Sequence, residues 1–580
     1  MSENINFFDL SKNSKKNNEN FPKYRLALLG DCATQNLAIA LKGYAYTSRL
    51  SLDLFDGGYD QILSNIIDSN SQMYSFKPDA IIIYMSVENL YNTWCETPIN
   101  QRHEFAEKSF SIIKEYWSYI TTNCTASILQ FLFSEYDDMV FGNYACKQAS
   151  SFIFQLRKIN FLIMNECIIN KNIYLIDLCG IQAQTGRKNI FDPKQYYIAK
   201  MTISITVLPL IAKNVINVIQ SLRGIIKKCI ILDLDNTLWG GIIGDDGLTG
   251  IQIGELGAGR AYSEFQKWLK ELKNRGILLA VCSKNEEKNA KEPFEKHEEM
   301  ILRLEDFSVF TANWDDKASN IRYIQQILNI GMDSIIFIDD NPFERDIVRS
   351  HIPEIIVPNM PEDPGEYLSY LQSLNLFESI SYSNEDTNRT EQYRAEAKRE
   401  VIRLQYTNYD EYLQSLEMIS SANTFDVFNI PRISQLTQRS NQFNLRTIRH
   451  TESEIKSIMN NSNKITYYFT LKDKLSDYGL ICVIILDKID NECLFIENWI
   501  MSCRVLKRGM EEFVMNKIFD TANILGVKFI RGEYIRTSKN DIVSNIYKHF
   551  NFTFENDSYI LNIDDYKKHK TFIKEAVYES

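Results

Sequence analysis

The chain has 580 residues, which is too long for one ordinary globular core and predicts roughly three or four domains. Hydrophobic residues make up 44% of it and charged residues 24%, which excludes a mainly disordered chain. The formal net charge of −11 argues against nucleic acid as a partner. No uncharged apolar run reaches about 18 residues, so we expect no membrane span.

The N-terminus and the cysteines predict a cytoplasmic protein. The first 20 residues contain no apolar signal-peptide core. The 11 cysteines include no CxxC pair, which argues against a disulfide framework and a structural zinc site. Residues 1–22 are rich in Asn, Lys and Ser, and we expect them to form a flexible arm.

Residues 23–225 alternate apolar runs with helical patterns, which predicts a parallel sheet with crossover helices. The strand-like runs are LALLGD (26–31), AIIIYMS (80–86), ASILQFLF (126–133) and IYLIDLCG (173–180).

A second series of the same kind occupies residues 226–360. Residues 361–402 are polar and helical and are interpreted as a connector. From residue 403 to 580 longer alternating strands surround a helical pattern, which predicts an α+β domain. The predicted fold class is therefore two parallel-sheet α/β domains followed by an α+β domain.

Polar motifs follow the ends of four predicted strands in the central segment. They are Asp233-Leu234-Asp235-Asn236-Thr237, Ser283, Lys317 and Asp339-Asp340. The carboxyl ends of parallel strands form the ligand-binding edge of such a sheet, so these residues are expected to meet there. Their types and order resemble the four motifs of the haloacid dehalogenase (HAD) phosphotransferases.

Hydrolysis of a phosphate ester needs a nucleophile, a proton donor and cations that offset negative charge. Asp233 would attack phosphorus, and Asp235 would protonate the leaving oxygen and later activate water. The expected Mg²⁺ ligands are Asp233, the main-chain carbonyl of Asp235, Asp339 and Asp340. The expected phosphate-binding residues are Thr237, Ser283 and Lys317.

The spacing of the motifs leaves no room for a separate cap domain. Between Thr237 and Ser283 only a short Gly-rich hairpin and one helix fit, and between Ser283 and Lys317 only a helix and a strand. An uncapped site can admit a bulky or protein-tethered phosphate.

Several strings outside these motifs resemble the FkbH-like branch of the HAD superfamily. They include WGG (239–241), IDDNPFER (338–345), RISQLTQRSNQFNLRT (432–447), MSCRVLKRGMEE (501–512) and GEYIRTSKN (532–540). The resemblance implies an SGNH-like domain at 23–225, a HAD domain at 226–360 and a GNAT-like domain at 403–580.

The resemblance also implies an activity. A phosphoglyceryl group from 1,3-bisphosphoglycerate, the phosphorylated donor, would be dephosphorylated and passed through an enzyme thioester to the phosphopantetheine thiol of an acyl carrier protein in secondary metabolism. Two alternatives stay open. One is a stand-alone Mg²⁺-dependent phosphatase, and the other is an acyl-modifying enzyme of surface-polysaccharide or peptide biosynthesis.

Cys32 follows Gly30 and Asp31 at the position where SGNH hydrolases place their nucleophilic serine. No histidine lies between His103 and His297, which disfavours an ordinary serine esterase. A helix N-terminus would lower the pKa of Cys32 and suit it to a thioester, and Asn89 would donate to an oxyanion. The alternative is that Cys32 is a small buried residue in a strand–helix corner.

The C-terminal segment carries a basic cluster that includes Arg504 and Arg508 beside Gly509. GNAT enzymes bind coenzyme A with a glycine-rich loop there, but this chain lacks the second glycine, which disfavours acetyl-CoA. We therefore interpret these three residues as a seat for a phosphopantetheine arm or an acidic carrier protein. A solvated basic face is the alternative.

Overall fold

The computed structural model describes residues 5–382, 389–403, 406–440, 442–537, 539–555 and 557–576. The chain divides into two compact units, residues 1–220 and residues 221–580. No helix within the described ranges is both long enough and apolar enough to cross a membrane.

The first unit contains a five-stranded parallel sheet with strand order β2-β1-β3-β4-β5. Its strands are β1 (Lys23–Gly30), β2 (Ser51–Tyr59), β3 (Ala80–Tyr84), β4 (Ser127–Phe131) and β5 (Ile173–Ile176). The central strands β3 and β4 are buried along their whole length, as expected when helices cover both faces of a parallel sheet. The helices are α1 (Phe7–Asn13), α2 (Gln35–Thr47), α3 (Ile62–Ile67), α4 (Gln72–Ser75), α5 (Val87–Glu96), α6 (Phe105–Asn123), α7 (Phe152–Ile169), α8 (Leu178–Thr185), α9 (Arg187–Ile190), α10 (Pro193–Ala199) and α11 (Leu208–Leu222).

Helix α1 replaces part of the flexible arm expected for residues 1–22, so that expectation is wrong for residues 7–13. Asn6 caps the helix by accepting a hydrogen bond from the Asp9 amide, and the Asp9 carboxylate accepts one from the Asn6 amide. Leu10 is fully buried against Gly43 of α2, where a Cβ would lie 2.1 Å from the Leu10 carbonyl oxygen. Capping and apolar burial together hold the segment as a helix.

The second unit begins with a four-stranded parallel sheet in the order β8-β7-β6-β9. Its strands are β6 (Cys229–Leu232), β7 (Leu278–Ser283), β8 (Phe307–Ala312) and β9 (Ile335–Ile338). All four residues of β6 are buried, because this strand lies between β7 and β9. The helices that follow are α12 (Ile243–Gly250), α13 (Gly257–Asn274), α14 (Glu287–Lys296), α15 (Lys317–Leu328), α16 (Pro342–His351), α17 (Tyr367–Ser373) and α18 (Arg389–Arg403).

The C-terminal part of this unit is built on a mostly antiparallel sheet with helices. Its strands are β10 (Ile419–Ser420), β11 (Ala422–Asn423), β12 (Phe443–Asn444), β13 (Lys464–Lys472), β14 (Asp477–Lys488), β15 (Cys493–Met501), β16 (Phe529–Gly532), β17 (Thr553–Glu555), β18 (Ser558–Asn562) and β19 (Lys574–Glu575). Its helices are α19 (Tyr409–Ser415), α20 (Ile430–Arg439), α21 (Glu452–Met459), α22 (Met510–Leu525) and α23 (Ile546–His549). Strands β15 and β16 pair in parallel and are joined by α22. The predicted fold class is therefore confirmed.

Helices α17 and α18 lie in the segment interpreted as a connector, of which residues 383–388 fall outside the described residues. The predicted boundaries near 360 and 403 do not separate compact units, because the central sheet and the C-terminal sheet belong to one unit.

A buried ionic cluster attaches α18 to the C-terminal sheet. The Nε and Nη2 of Arg399 donate to the two carboxylate oxygens of Asp473 at 2.8 and 2.7 Å. Arg508 Nη1 lies 3.6 Å from the same carboxylate and donates to the Tyr478 hydroxyl at 2.6 Å. Both guanidinium groups lie over the Tyr478 ring, at 4.8 and 5.0 Å from its centroid. Asp473 thus faces two buried cations.

We expect Asp473→Asn to lower the free energy of unfolding of the second unit by about 3–5 kcal/mol, because it leaves two buried guanidinium charges without their carboxylate. Urea denaturation followed by circular dichroism measures this. Asp410→Asn is the control, since Asp410 pairs with Lys570 on the surface, where such a pair contributes up to about 1 kcal/mol. Equal stability of Asp473→Asn and wild type would contradict a stabilising role for the cluster.

Candidate active site

The central sheet brings the predicted motifs to one edge. Asp233 directly follows β6, and its amide donates to the Ile338 carbonyl at the end of β9 at 3.0 Å. Ser283 is the last residue of β7, and Asp339 directly follows β9. Since β6 pairs in parallel with both β7 and β9, these three residues lie at the same edge of the sheet, where the strands have their carboxyl ends.

Three carboxylates crowd together at this edge. Asp233, Asp339 and Asp340 each place one oxygen within 4.8 Å of the others. Burial, and then the charge of Asp233, raise the pKa of Asp339 to about 6. The pKa of Asp340 is raised by the same two causes. The full negative charge of the cluster is therefore unfavourable unless cations offset it.

Lys317, the first residue of α15, supplies one of those cations. Its Nζ lies 2.8 Å from Asp233 Oδ2 and 2.5 Å from Asp339 Oδ2. The side chain is only 3% exposed. Burial alone would lower the pKa of Lys317, but the charges of Asp233 and Asp339 outweigh it and raise the pKa above its ordinary value. One ammonium group thus contacts two of the three carboxylates.

The donor set fits a hard divalent cation such as Mg²⁺. Carboxylate oxygens are the side-chain ligands that Mg²⁺ prefers. Asp233 Oδ1 is buried and has no hydrogen-bond partner in the part of the chain that the structure describes, which is costly for a carboxylate oxygen without a cation. Among the described residues, only these three form a group of acidic, histidine or cysteine side chains with metal-ligand spacing.

Asp235 is held apart from the three clustered carboxylates. Its Oδ1 accepts hydrogen bonds from Trp239 Nε1 and from the Ile243 amide, both at 3.0 Å. Its Oδ2 accepts one from Asn285 Nδ2 at 2.8 Å. The side chain is thus occupied by three donors, and only its main-chain carbonyl is left as the predicted metal ligand.

Sequence reasoning missed the roles of Trp239 and Asn285. Trp239 belongs to the WGG string, and Asn285 lies two residues after Ser283. Both residues lie close in sequence to a motif residue, and this was the only signal available. Sequence proximity does not reveal that both side chains donate to the Asp235 carboxylate.

The two predicted hydroxyl ligands have different surroundings. Thr237 is fully buried, accepts a hydrogen bond from the Asp340 amide at 3.2 Å and donates to Asp340 Oδ1 at 3.4 Å. The Thr237 hydroxyl thus joins the loop after β6 to the loop after β9, and its phosphate-binding role stays a prediction. Ser283 Oγ accepts from Asn285 Nδ2 at 3.3 Å, and its phosphate-binding role stays a prediction.

In the first unit, Cys32 lies between β1 and α2 and is only 2% exposed. Thr202 Oγ1 donates to its sulfur at 3.3 Å, and the hydroxyls of Thr202 and Tyr84 share a hydrogen bond of 2.6 Å. Burial, and then the charge of Asp31, raise the pKa of Cys32 well above its ordinary value. The expected lowering by a helix N-terminus is wrong, because α2 begins only at residue 35 and loss of hydration outweighs it.

Asn89 makes a hydrogen bond within the corner that holds Cys32. Its Nδ2 donates to the main-chain carbonyl of Asp31 at 2.8 Å. The Asp31 carboxylate in turn accepts a hydrogen bond from the Ser86 amide at 2.8 Å. Asn89 thus stabilises this corner, and its role as an oxyanion donor stays a prediction.

The predicted carrier-binding residues do not form an exposed face. Arg504 and Arg508 are 9% and 4% exposed, and Arg508 belongs to the Asp473 cluster. The interpretation of these two arginines as a surface for an acidic carrier protein is therefore wrong. Gly509 directly precedes α22 with φ of 79°, a conformation that favours glycine, and its proposed ligand stays a prediction.

Comparison with known proteins adds independent findings. Residues 25–220 match the FkbH N-terminal domain family. A crystal structure of the N-terminal part of BF1531 from Bacteroides fragilis, described as containing a phosphatase domain complexed with Mg, is 44% identical. The alignment includes 65% of this chain and 100% of the crystallised Bacteroides fragilis chain, with a TM-score of 0.63. No curated protein sequence matches the chain.

The structures of two N-acetyltransferases also match this chain. Each alignment includes 25% of this chain and has a TM-score of 0.21. The ribosomal-protein-S18-alanine N-acetyltransferase of Escherichia coli is 14% identical over 94% of its own length. The spermidine N-acetyltransferase of Vibrio cholerae is 12% identical over 97% of its length.

The match to the whole Bacteroides fragilis fragment, the matched FkbH N-terminal domain and the geometry of the aspartate motifs lead to one conclusion. The chain belongs to the FkbH-like family of HAD-type proteins.

Proposed function

We propose that the chain is an Mg²⁺-dependent phosphatase that hydrolyses a phosphate ester through Asp233. The observation that carries this proposal is the buried arrangement of Asp233, Asp339 and Lys317, in which one oxygen of Asp233 has no hydrogen-bond partner among the described residues. The Bacteroides fragilis fragment, with its phosphatase domain and bound Mg, supports the proposal through its 44% identity.

Asp233, Asp339 and Asp340 would hold the metal. When bound, Mg²⁺ would offset the charge of these carboxylates and of the substrate phosphate. A carboxylate oxygen of Asp233 attacks phosphorus, and the bond to the leaving alcohol breaks as Asp235 donates its proton. Water then attacks the aspartyl-phosphate and gives a proton to Asp235, which restores both carboxyl groups to their starting state.

Lys317 and Ser283 are proposed to bind the transferred phosphoryl group. Lys317 already contacts the nucleophile, so its ammonium group lies where negative charge develops on the phosphoryl oxygens. Ser283 ends the neighbouring strand β7 and would contribute a hydroxyl to the same phosphoryl group. The hydrogen bonds from Trp239 and Asn285 keep Asp235 oriented as the proton donor.

The finer proposal couples this hydrolysis to acyl transfer. Cys32 would attack the acyl carbon of 1,3-bisphosphoglycerate, release the acyl phosphate and hold the 3-phosphoglyceryl group as a thioester. The Asp233 site would hydrolyse the remaining phosphate ester before or after this step, and the glyceryl group would pass to the phosphopantetheine thiol of an acyl carrier protein. The family resemblance supports this step. The burial of Cys32 and its raised pKa favour the second candidate function, a phosphatase that works without the thioester.

We expect Asp233→Asn to reduce Mg²⁺-dependent turnover of p-nitrophenyl phosphate at least about 10³-fold, because the nucleophile is lost. Asp339→Asn should be partly rescued by more Mg²⁺, since it removes a ligand. Asp346→Asn, an exposed carboxylate on α16, is the control and should retain turnover. Near-normal turnover by Asp233→Asn would refute the proposed nucleophile.

A second prediction tests how Asp235 is positioned. Trp239→Phe removes the indole donor, so kcat/KM should fall about tenfold for glycerol 3-phosphate, whose leaving alcohol needs a proton. It should change little for p-nitrophenyl phosphate, whose leaving group departs without one. Trp268→Phe, a partly buried tryptophan on α13, is the matched control. An equal loss with both substrates would show that Trp239 acts only through general packing.

The third prediction separates transferase from plain phosphatase. After incubation with 1,3-bisphosphoglycerate and Mg²⁺, intact-mass analysis should detect an acyl adduct on the wild type and loading of the carrier protein. Cys32→Ala should lose both and keep hydrolysis of p-nitrophenyl phosphate, whereas Cys146→Ala, an exposed thiol, should lose neither. Carrier loading by Cys32→Ala at the wild-type rate would make Cys32 structural.

A further inference from the structure

A cavity of about 540 Å³ lies in the second unit, at the opposite edge of the central sheet from the carboxylate cluster. Lys228 and Ser334, which directly precede β6 and β9, line it together with Leu278, the first residue of β7. Because β6 has four residues, the two edges are roughly 13 Å apart. The other wall comes from α20 and the end of β15, so the cavity is distinct from the proposed phosphatase site.

The lining is strongly basic although the chain is acidic. Its acidic side chains are Asp333 and Glu354, and Asp333 already forms an ion pair with Lys539. Its five basic side chains are Lys228, Arg322, Arg432, Arg504 and Lys539. The lining therefore has a surplus of three positive charges, whereas the whole chain has a net charge of −11. A cavity of this sign attracts anions.

Two of these arginines are buried and held in place. Arg432 is 7% exposed, and its Nη1 donates to Gln435 Oε1. Its Nη2 donates to the Leu480 carbonyl oxygen at 3.4 Å. Arg504 is 9% exposed, and its Nε donates to Ser502 Oγ at 3.2 Å. A planar guanidinium group that is already oriented binds phosphate with little further loss of side-chain entropy.

The rest of the cavity suits the organic part of a ligand. Ile330, Met332 and Leu436 give it apolar walls. Asn329 Nδ2 donates to the Cys503 carbonyl at 2.8 Å and so joins the wall from the central sheet to the wall from β15. Its volume lies within the range of small-molecule sites.

We propose that this cavity is a second ligand site, which binds a small organic phosphate with an apolar portion through Arg432, Arg504 and the exposed Arg322. The proposal does not depend on the phosphatase chemistry, since no residue of the carboxylate cluster lines the cavity. In this proposal Arg504 binds a small ligand inside the cavity, whereas the sequence-based interpretation placed it on a surface that docks a carrier protein.

Cys503 provides a direct readout, because it lines the cavity and is only half-buried. The probe is phenylphosphonate, whose phosphorus–carbon bond a phosphatase does not hydrolyse, added to the full chain in EDTA. We expect saturating probe to slow alkylation of Cys503 by iodoacetamide about tenfold, as measured by peptide mass spectrometry. Alkylation of the exposed Cys146 should not change.

Variants identify the residues responsible. Arg504→Gln and Arg322→Gln should each raise the Kd of phenylphosphonate about tenfold, because each removes one cation from the lining. Arg322 is exposed, so its variant keeps the test valid if Arg504→Gln does not fold. Arg536→Gln is the matched control, since Arg536 lies on the surface in an ion pair with Asp541 and should leave the Kd unchanged.

Three results would overturn the proposal. The first is alkylation of Cys503 at the same rate with and without phenylphosphonate. The second is equal protection by phenylacetate, which would show that the site does not select phosphate. The third is binding that survives Arg504→Gln and Arg322→Gln but is lost in Lys317→Ala, which would place the anion at the carboxylate cluster.

Discussion

The structure around the proposed phosphatase site depends on one electrostatic constraint: three carboxylates, two of them buried, lie close together, and the Lys317 ammonium group contacts only two of them. Asp339 is completely buried, and its raised pKa reflects both the loss of hydration and the neighbouring charge of Asp233. Lys317 offsets only part of this charge. Asp233, Asp339 and Asp340 would hold a divalent cation, whose charge would offset the remaining repulsion and favour the approach of a phosphate group to Asp233.

The parallel sheet explains how residues more than 100 positions apart reach this space. β6 lies between β7 and β9, so the loops that follow these strands converge. The Thr237 hydroxyl joins two of the loops, and the Trp239 and Asn285 side chains hold Asp235 outside the cluster. The proposed nucleophile Asp233 and the proposed proton donor Asp235 therefore have different surroundings although only one residue separates them. Such a division suits two carboxyl groups with opposite tasks.

Much of this arrangement could be predicted from the sequence. Apolar strands ending in Asp233, Ser283 and Asp339 indicated the sheet and its ligand edge, because strand direction alone places these ends together. The partners of individual side chains could not be predicted in the same way. Thr237 and Asn89 carry suitable donors, but Thr237 donates to Asp340 in the loop after β9, and Asn89 donates to the Asp31 carbonyl.

The errors share a physical cause, which is burial. Cys32 lies close in sequence to a helix, but loss of hydration and the nearby Asp31 dominate the pKa of its thiol. Arg504 and Arg508 belong to a basic stretch, but the sequence does not reveal that both are folded inward. One lines a cavity and the other faces a buried carboxylate. Local composition predicts charge, whereas the solvent exposure of that charge is set by tertiary packing.

The proposed role of Asp233 can be tested most directly by trapping its phosphorylated form. The full chain would be mixed with a phosphate monoester and Mg²⁺, quenched in acid and digested, and the peptides analysed by mass spectrometry. We expect a phosphoryl group on Asp233 that is absent when EDTA replaces Mg²⁺ and absent in Asp233→Asn. Turnover with the phosphoryl group on another residue, or an unchanged adduct in Asp233→Asn, would contradict this account.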